Sequence, residues 1–152
     1  MRSALVMCLL GVASLLARAA SDCRTVGGTI STNFTSATTT FGSATGDLAG
    51  GVGVSVLNIT QNSNGTLTFR NQRSWVTTTG DTITTNPATA TGFPTEIPGL
   101  YAASYINGVV VTGGTGRFAN ASGKIYSWGA VNLTANEIVL RYEGTVCFAD
   151  PD

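Results

Sequence analysis

Histidine is absent from the 152-residue chain. Imidazole is the usual general base at neutral pH and a common metal ligand, so histidine-based triads and metal centres are excluded. Charge is sparse, at 11% of residues. No basic patch occurs, which makes nucleic acid and anionic lipid poor partners. Only three cysteines and four prolines are present. Beyond residue 20 there is no long run of good helix formers, and no apolar stretch long enough to cross a membrane as a helix. Without histidine, a paired nucleophile and base, or a cluster of soft ligands, hydrolysis and redox chemistry are poorly supported. No cofactor and no metal are expected.

What is there in quantity is Thr, Val, Ile, Ser, Asn and Gly, with glycine at 19 residues. That mixture favours strands and turns, and the length suits one domain. Residues 1–19 read as a signal peptide. Arg2 starts it, Ala4 to Leu16 is its apolar run, and Ala17-Arg18-Ala19 is a small-x-small cleavage pattern. Residues 20–152 are then a single secreted domain. Losing Arg2 and Arg18 leaves 6 basic against 8 acidic residues, a net of −2. Cys8 departs with the signal. Cys23 and Cys147 remain near the two ends and are expected to pair in an oxidising compartment, two free thiols being the alternative. Such a bond would stabilise by roughly 4–5 kcal/mol on the chain-entropy model. Five Asn-x-Ser/Thr sites, at Asn33, Asn58, Asn64, Asn120 and Asn132, point to a glycoprotein from a eukaryote such as a fungus.

Along the chain, Val26, Ile30 and Phe34 share strand parity and bury one face. Gly50-Gly51-Val52-Gly53 gives little bulk and suits a barrel corner. Val54, Val56 and Asn58 then fall on one face and Ser55, Leu57 and Ile59 on the other. With apolar residues on both faces, the exterior is expected to pack against a partner. Asn64-Gly65 marks a hairpin turn. The return strand alternates Leu67, Phe69, Asn71, Arg73 and Trp75 with Thr66, Thr68, Arg70, Gln72 and Ser74. After the Gly80-Asp81 turn comes a short strand to Thr85. Asn86 to Gly99 holds three of the four prolines and reads as one long irregular segment, either the cover of a pocket mouth or a spacer. Leu100 to Val111 is the most apolar strand, interrupted at Asn107-Gly108 by a bulge or a turn.

The final hairpin carries the candidate chemistry. With Ala135-Asn136 as a two-residue turn, Leu133 faces Ile138 and Val131 faces Leu140 on an apolar side. On the other side Ala130 meets Arg141, Trp128 meets Glu143 and Tyr126 meets Thr145. Tyr126, Trp128, Arg141 and Glu143 thus form one cluster. Either this face is solvated, as an ordinary strand ion pair, or it lines the lumen of a barrel. In the lumen, Arg141 or Tyr126 would stabilise negative charge developing on an oxygen, and Glu143 would accept a proton. Tyr105 is a further catalytic candidate, and Trp128, Trp75 and Tyr101 are candidate pocket walls. Eight strands leave room for one small ligand. An apolar substrate would be held there in one productive conformation.

Between the last strands runs Gly113-Gly114-Thr115-Gly116-Arg117-Phe118-Ala119-Asn120-Ala121-Ser122-Gly123. It reads as a tight bend anchored by Phe118. Phosphate cradling is the weaker alternative, because the Lys-Ser/Thr of a P-loop is missing. The Gly-Gly-Thr-Gly-Arg-Phe run resembles the signature of the dirigent and allene oxide cyclase barrel families, over about residues 105 to 147. The resemblance implies a small antiparallel barrel of about eight strands. Dirigent members are secreted barrels that steer the coupling of radicals made by a partner oxidase. Allene oxide cyclases and related bacterial barrels carry out cofactor-free cyclisations, including spirotetronate-forming cycloadditions. Such barrels assemble as dimers or trimers, and a terminal disulfide like Cys23–Cys147 is similar to one in plant dirigent proteins. Gly113, Gly114, Thr115, Gly116, Phe118, Ala121 and Gly123 carry over as residues that shape the barrel. The expectation is therefore an all-β barrel that controls cyclisation or stereoselective coupling of a small apolar intermediate in specialised metabolism. A non-catalytic binding or surface protein, or a lipocalin-like carrier, is the alternative.

Overall fold

The computed structural model describes residues 22–148. The expected signal peptide lies outside the described residues. Ten strands follow one another: β1 (Asp22–Phe34), β2 (Thr39–Ala44), β3 (Gly50–Gln61), β4 (Leu67–Thr77), β5 (Thr82–Thr85), β6 (Ala88–Pro94), β7 (Leu100–Ser104), β8 (Val109–Gly114), β9 (Ser122–Asn132) and β10 (Glu137–Phe148). They form a closed antiparallel barrel of eight staves, because two staves are each built from two strands. β5 and β6 share one stave, β5 pairing with Ser74–Val76 and β6 with Leu67–Asn71 of β4. β7 and β8 share another, both pairing with β9. β10 returns to β1, from Asp22↔Phe148 to Asn33↔Glu137, and closes the barrel. Closure leaves no continuous free edge for another chain to extend.

Three local features differ from the pattern in the sequence, and at a fourth the structure takes one of the two expected alternatives. The Asn86 to Gly99 segment contains strand β6 and is not irregular. Its prolines punctuate the stave: Pro87 stands at the break between β5 and β6, Pro94 ends β6, and Pro98 lies in the following loop. Tyr105 to Gly108 is a bulge in a continuing stave rather than a reversal, closed by Gly108 N–H donating to the Tyr105 carbonyl at 2.9 Å. In β3 the register shifts between Val56 and Asn58. The extra residue, Leu57, reverses the parity, so Val56 and Ile59 both line the interior cavity although alternation places them on opposite faces. The last turn is four residues, Leu133 to Asn136, with Glu137 opposite Asn132. Asn132 Oδ1 accepts from the backbone of Thr134 and Ala135, and Asn136 has φ 58°, which asparagine tolerates. The pairing is thereby shifted two residues from the expected one: Arg141 lies opposite Trp128 and Glu143 opposite Tyr126. A shift of two preserves the faces.

One end of the barrel is plugged. Trp75 and Tyr142 meet edge-on, with ring centroids 5.5 Å apart. The loop between β2 and β3 folds beneath them. Trp75 Nε1 donates to the Leu48 carbonyl at 2.8 Å, Leu48 N–H donates to the Tyr142 hydroxyl at 2.9 Å, and that hydroxyl donates to the Thr45 carbonyl at 2.8 Å. The glycine motif seals the same end. Gly116–Phe118 forms a 3-10 turn with Gly116 at φ 53°, and it presents the wholly buried Phe118 ring to the core. A Cβ at Gly114 would collide with the Thr82 carbonyl of the neighbouring stave. Cys23 and Cys147 are bonded across β1 and β10 at this end, a link of sequence separation 124. The disulfide is compatible with an oxidising environment.

Candidate functional site

The other end is open. Its rim is made by the β1–β2 loop, the β3–β4 turn and the β9–β10 turn, contributing Ala37, Ile59, Leu67 and Leu133. Below the rim lies a cavity of about 300 Å³. Strand alternation sends Ile30, Val52, Val54, Ala103, Val131 and Leu140 into it as apolar walls.

The floor is polar and comes chiefly from β4. The buried face of that strand runs Phe69, Asn71, Arg73, Trp75 and Thr77. Phe69 and Trp75 pull the face inward, and Asn71 and Arg73 are carried with them. Arg73 is 4% exposed, Asn71 6% and Tyr105 5%. Arg73 Cζ lies 4.3 Å from the centroid of the Tyr105 ring, a cation–π stack. Its Nη1 donates to Ser127 Oγ at 3.3 Å. Asn71 Nδ2 donates to the Tyr105 hydroxyl at 2.6 Å. Asn71 Oδ1 and Thr40 Oγ1 are buried without a hydrogen-bond partner. Among the described residues the ion pair is Arg24 with Asp22, at the surface, so Arg73 is a buried cation without a carboxylate. Burying such a charge unpaired costs several kcal/mol.

Of the residues singled out in the sequence, Tyr105 reaches this floor. Trp75 lies beneath it as part of the plug, and Tyr101 is half-buried near Phe69 without lining the cavity. The Tyr126/Trp128/Arg141/Glu143 face is outside the barrel, with Tyr126 42% and Trp128 39% exposed. This corrects the lumen reading of that face. The apolar partners on the alternate parity, Ile125, Val131, Leu140 and Val146, are the buried ones, and they leave the charged parity to solvent. Among the sequons, Asn33, Asn58, Asn64 and Asn120 are exposed and Asn132 is half-buried.

Asn71, Arg73 and Thr40 were not marked by residue type. The legible signal was the parity of β4, where Asn71 and Arg73 alternate in step with Leu67, Phe69 and Trp75. Among the described residues, no His, Asp or Glu lines the cavity. The site therefore offers the remaining N–H donors of Arg73 and the Tyr105 hydroxyl at its floor and shape along its walls, with no carboxylate or imidazole among the described lining residues to take a proton. Donors of this kind stabilise a carbonyl or oxyanion oxygen placed against them. At the plugged end, burial pushes the Tyr142 hydroxyl above its ordinary pKa, the bond from Leu48 N–H opposing and the nearby Asp47 charge adding to the rise.

No protein-family model, curated protein or solved structure matches the chain. No helix among the described residues is long and apolar enough to cross a membrane.

Proposed function

We propose that the chain is a secreted barrel that takes one apolar small molecule into its lumen and, without a cofactor, controls its cyclisation or stereoselective coupling. The observation that carries this reading is the polar floor of Arg73, Asn71 and Tyr105 beneath an apolar cup of about 300 Å³. The walls fold the substrate, and orientation of this kind supplies several kcal/mol toward the barrier. The floor polarises a carbonyl or holds an oxyanion. With no carboxylate or imidazole among the described lining residues, the fitting reactions are those that need no proton acceptor, such as cycloaddition or capture of a preformed radical. The glycine-motif resemblance to cyclase and dirigent barrels supports the same reading. The disulfide and the signal-like start support secretion, and the exposed sequons support glycosylation.

Carriage of an apolar molecule is the second reading. It is favoured by the same lack of a proton acceptor, since a carrier needs only fit. Metabolite profiling of the source organism with the gene deleted separates the two. Loss of a cyclised or stereochemically pure product, with its open precursor accumulating, supports the enzyme. An unchanged profile while the gene is expressed removes it.

A further inference from the structure

Among the described residues the Arg73 side chain makes one hydrogen bond, to Ser127 Oγ at 3.3 Å, and no ion pair. A guanidinium has five N–H donors and is a permanent cation. Holding it 4% exposed at the bottom of an apolar cup breaks the rule that buried charges are paired. A methionine would fill the same volume without that cost. Beside it, one half of the Asn71 carboxamide is spent on Tyr105, leaving the other half without a partner. This holds in either orientation of the amide. Thr40, separated from Arg73 by Val54 in one cross-strand row, adds a second orphaned oxygen among the lining residues. Unpaired charge and unmet hydrogen-bonding capacity thus converge on one end of a cavity whose walls are otherwise apolar.

We infer that this floor is an anion subsite, and that the molecule the barrel takes is an apolar acid bound head first, its carboxylate or other monoanionic oxygen head on Arg73 and its tail toward the rim at Ala37, Ile59 and Leu133. The inference rests on the lumen reading above and adds the charge and the orientation of the ligand. A charge-assisted bond to a guanidinium is roughly twice as strong as a neutral one. The apolar walls take the tail, and the floor has no carboxylate to repel the head.

The test is calorimetric titration of the purified full chain with decanoate and with 1-decanol, which share a tail and differ in charge. Decanoate should bind at least about tenfold more tightly, the equivalent of one charge-assisted hydrogen bond. In Arg73→Met that preference should vanish while decanol still binds. Asn71→Asp supplies an internal counter-ion, so it should weaken decanoate selectively. The decanoate-to-decanol ratio in the unaltered protein decides the matter even where a variant fails to fold. Equal binding of the two overturns the anion subsite and leaves the lumen reading standing. A preference that survives in a folded Arg73→Met also overturns the subsite. If neither molecule binds, the subsite and the lumen reading fall together.

Discussion

Arg73 stacks on Tyr105 with its Cζ 4.3 Å from the ring centroid, joining β4 to the bulge between β7 and β8 across the barrel floor. The same ring carries the hydroxyl that Asn71 reaches at 2.6 Å. Tyr105→Phe keeps the stack and removes that acceptor, leaving Asn71 wholly unpaired in a buried site. The expected loss is about 1–3 kcal/mol, read from the shift of the urea midpoint. Tyr105→Leu also removes the stack and should lose more. Equal stability of Tyr105→Phe and the native chain would mean that the floor bond contributes nothing.

The plug is expected to give the protein an alkaline limit. Burial raises the pKa of Tyr142 above its ordinary 10.0 in the folded state. The unfolded chain then ionises first. Stability from this group is present below about pH 10 and is lost as pH rises through the folded value. Tyr142→Phe should be weaker than the native chain at neutral pH, because Leu48 N–H and the Thr45 carbonyl lose their partner. It should also lose less stability on going from about pH 8 to about pH 10.5. Parallel alkaline losses in the two proteins would rule out the buried hydroxyl as the source.

Two glycines separate steric from conformational need. Gly80 sits at φ 86° with nothing within 4 Å of an added Cβ, so Gly80→Ala should cost only the left-handed strain, about 1–2 kcal/mol. Gly114→Ala drives a methyl group into the Thr82 carbonyl, which belongs to the paired strand β5 and cannot retreat without disturbing the ladder. Its loss should be clearly larger. Thermal unfolding of the two variants side by side makes the comparison, and equal costs would contradict the close approach.

The charged face of the last hairpin should be inert. Arg141 and Glu143 are exposed on the outer wall, opposite Trp128 and Tyr126. Arg141→Ala and Glu143→Ala are expected to stay within about 0.5 kcal/mol of the native stability and to leave ligand binding unchanged. A loss of binding in either variant would return the site to the outer face.

Much of this architecture was legible in the sequence, for physical reasons specific to particular residues. The strand-forming composition marks an all-β chain, Asn64-Gly65 marks a hairpin, the resemblance of the glycine motif implied the antiparallel barrel, and Cys23 and Cys147 were expected to pair, as they do. The faces of the last hairpin survived a wrong turn length, because a shift of two keeps side-chain parity. The Leu57 bulge was not legible, since one extra residue leaves no compositional trace and yet brings Ile59 inward. β6 was hidden by the prolines at its two ends. Of the candidate residues, Tyr105 lines the cavity, whereas the hairpin cluster took the solvated one of its two alternatives: an acid and a base beside aromatics look like chemistry, and Arg73 and Asn71 were ordinary residue types in an alternating strand. Only closure of the barrel shows that their parity points into a cavity.

The most direct test of the central claim is complementation of the gene-deleted source organism, read by metabolite profiling. Three chains are compared: the native one, the outer-face variant Trp128→Ala, and Ala103→Phe, which fills the lumen from β7. Overpacking of this kind typically costs about 1–3 kcal/mol, so the level of soluble protein is measured alongside. The native chain and Trp128→Ala should restore the missing product, and Ala103→Phe at an equal protein level should not. Full restoration by the lumen-filled barrel would contradict the account, because the chemistry would then lie outside the cavity that Arg73, Asn71 and Tyr105 floor.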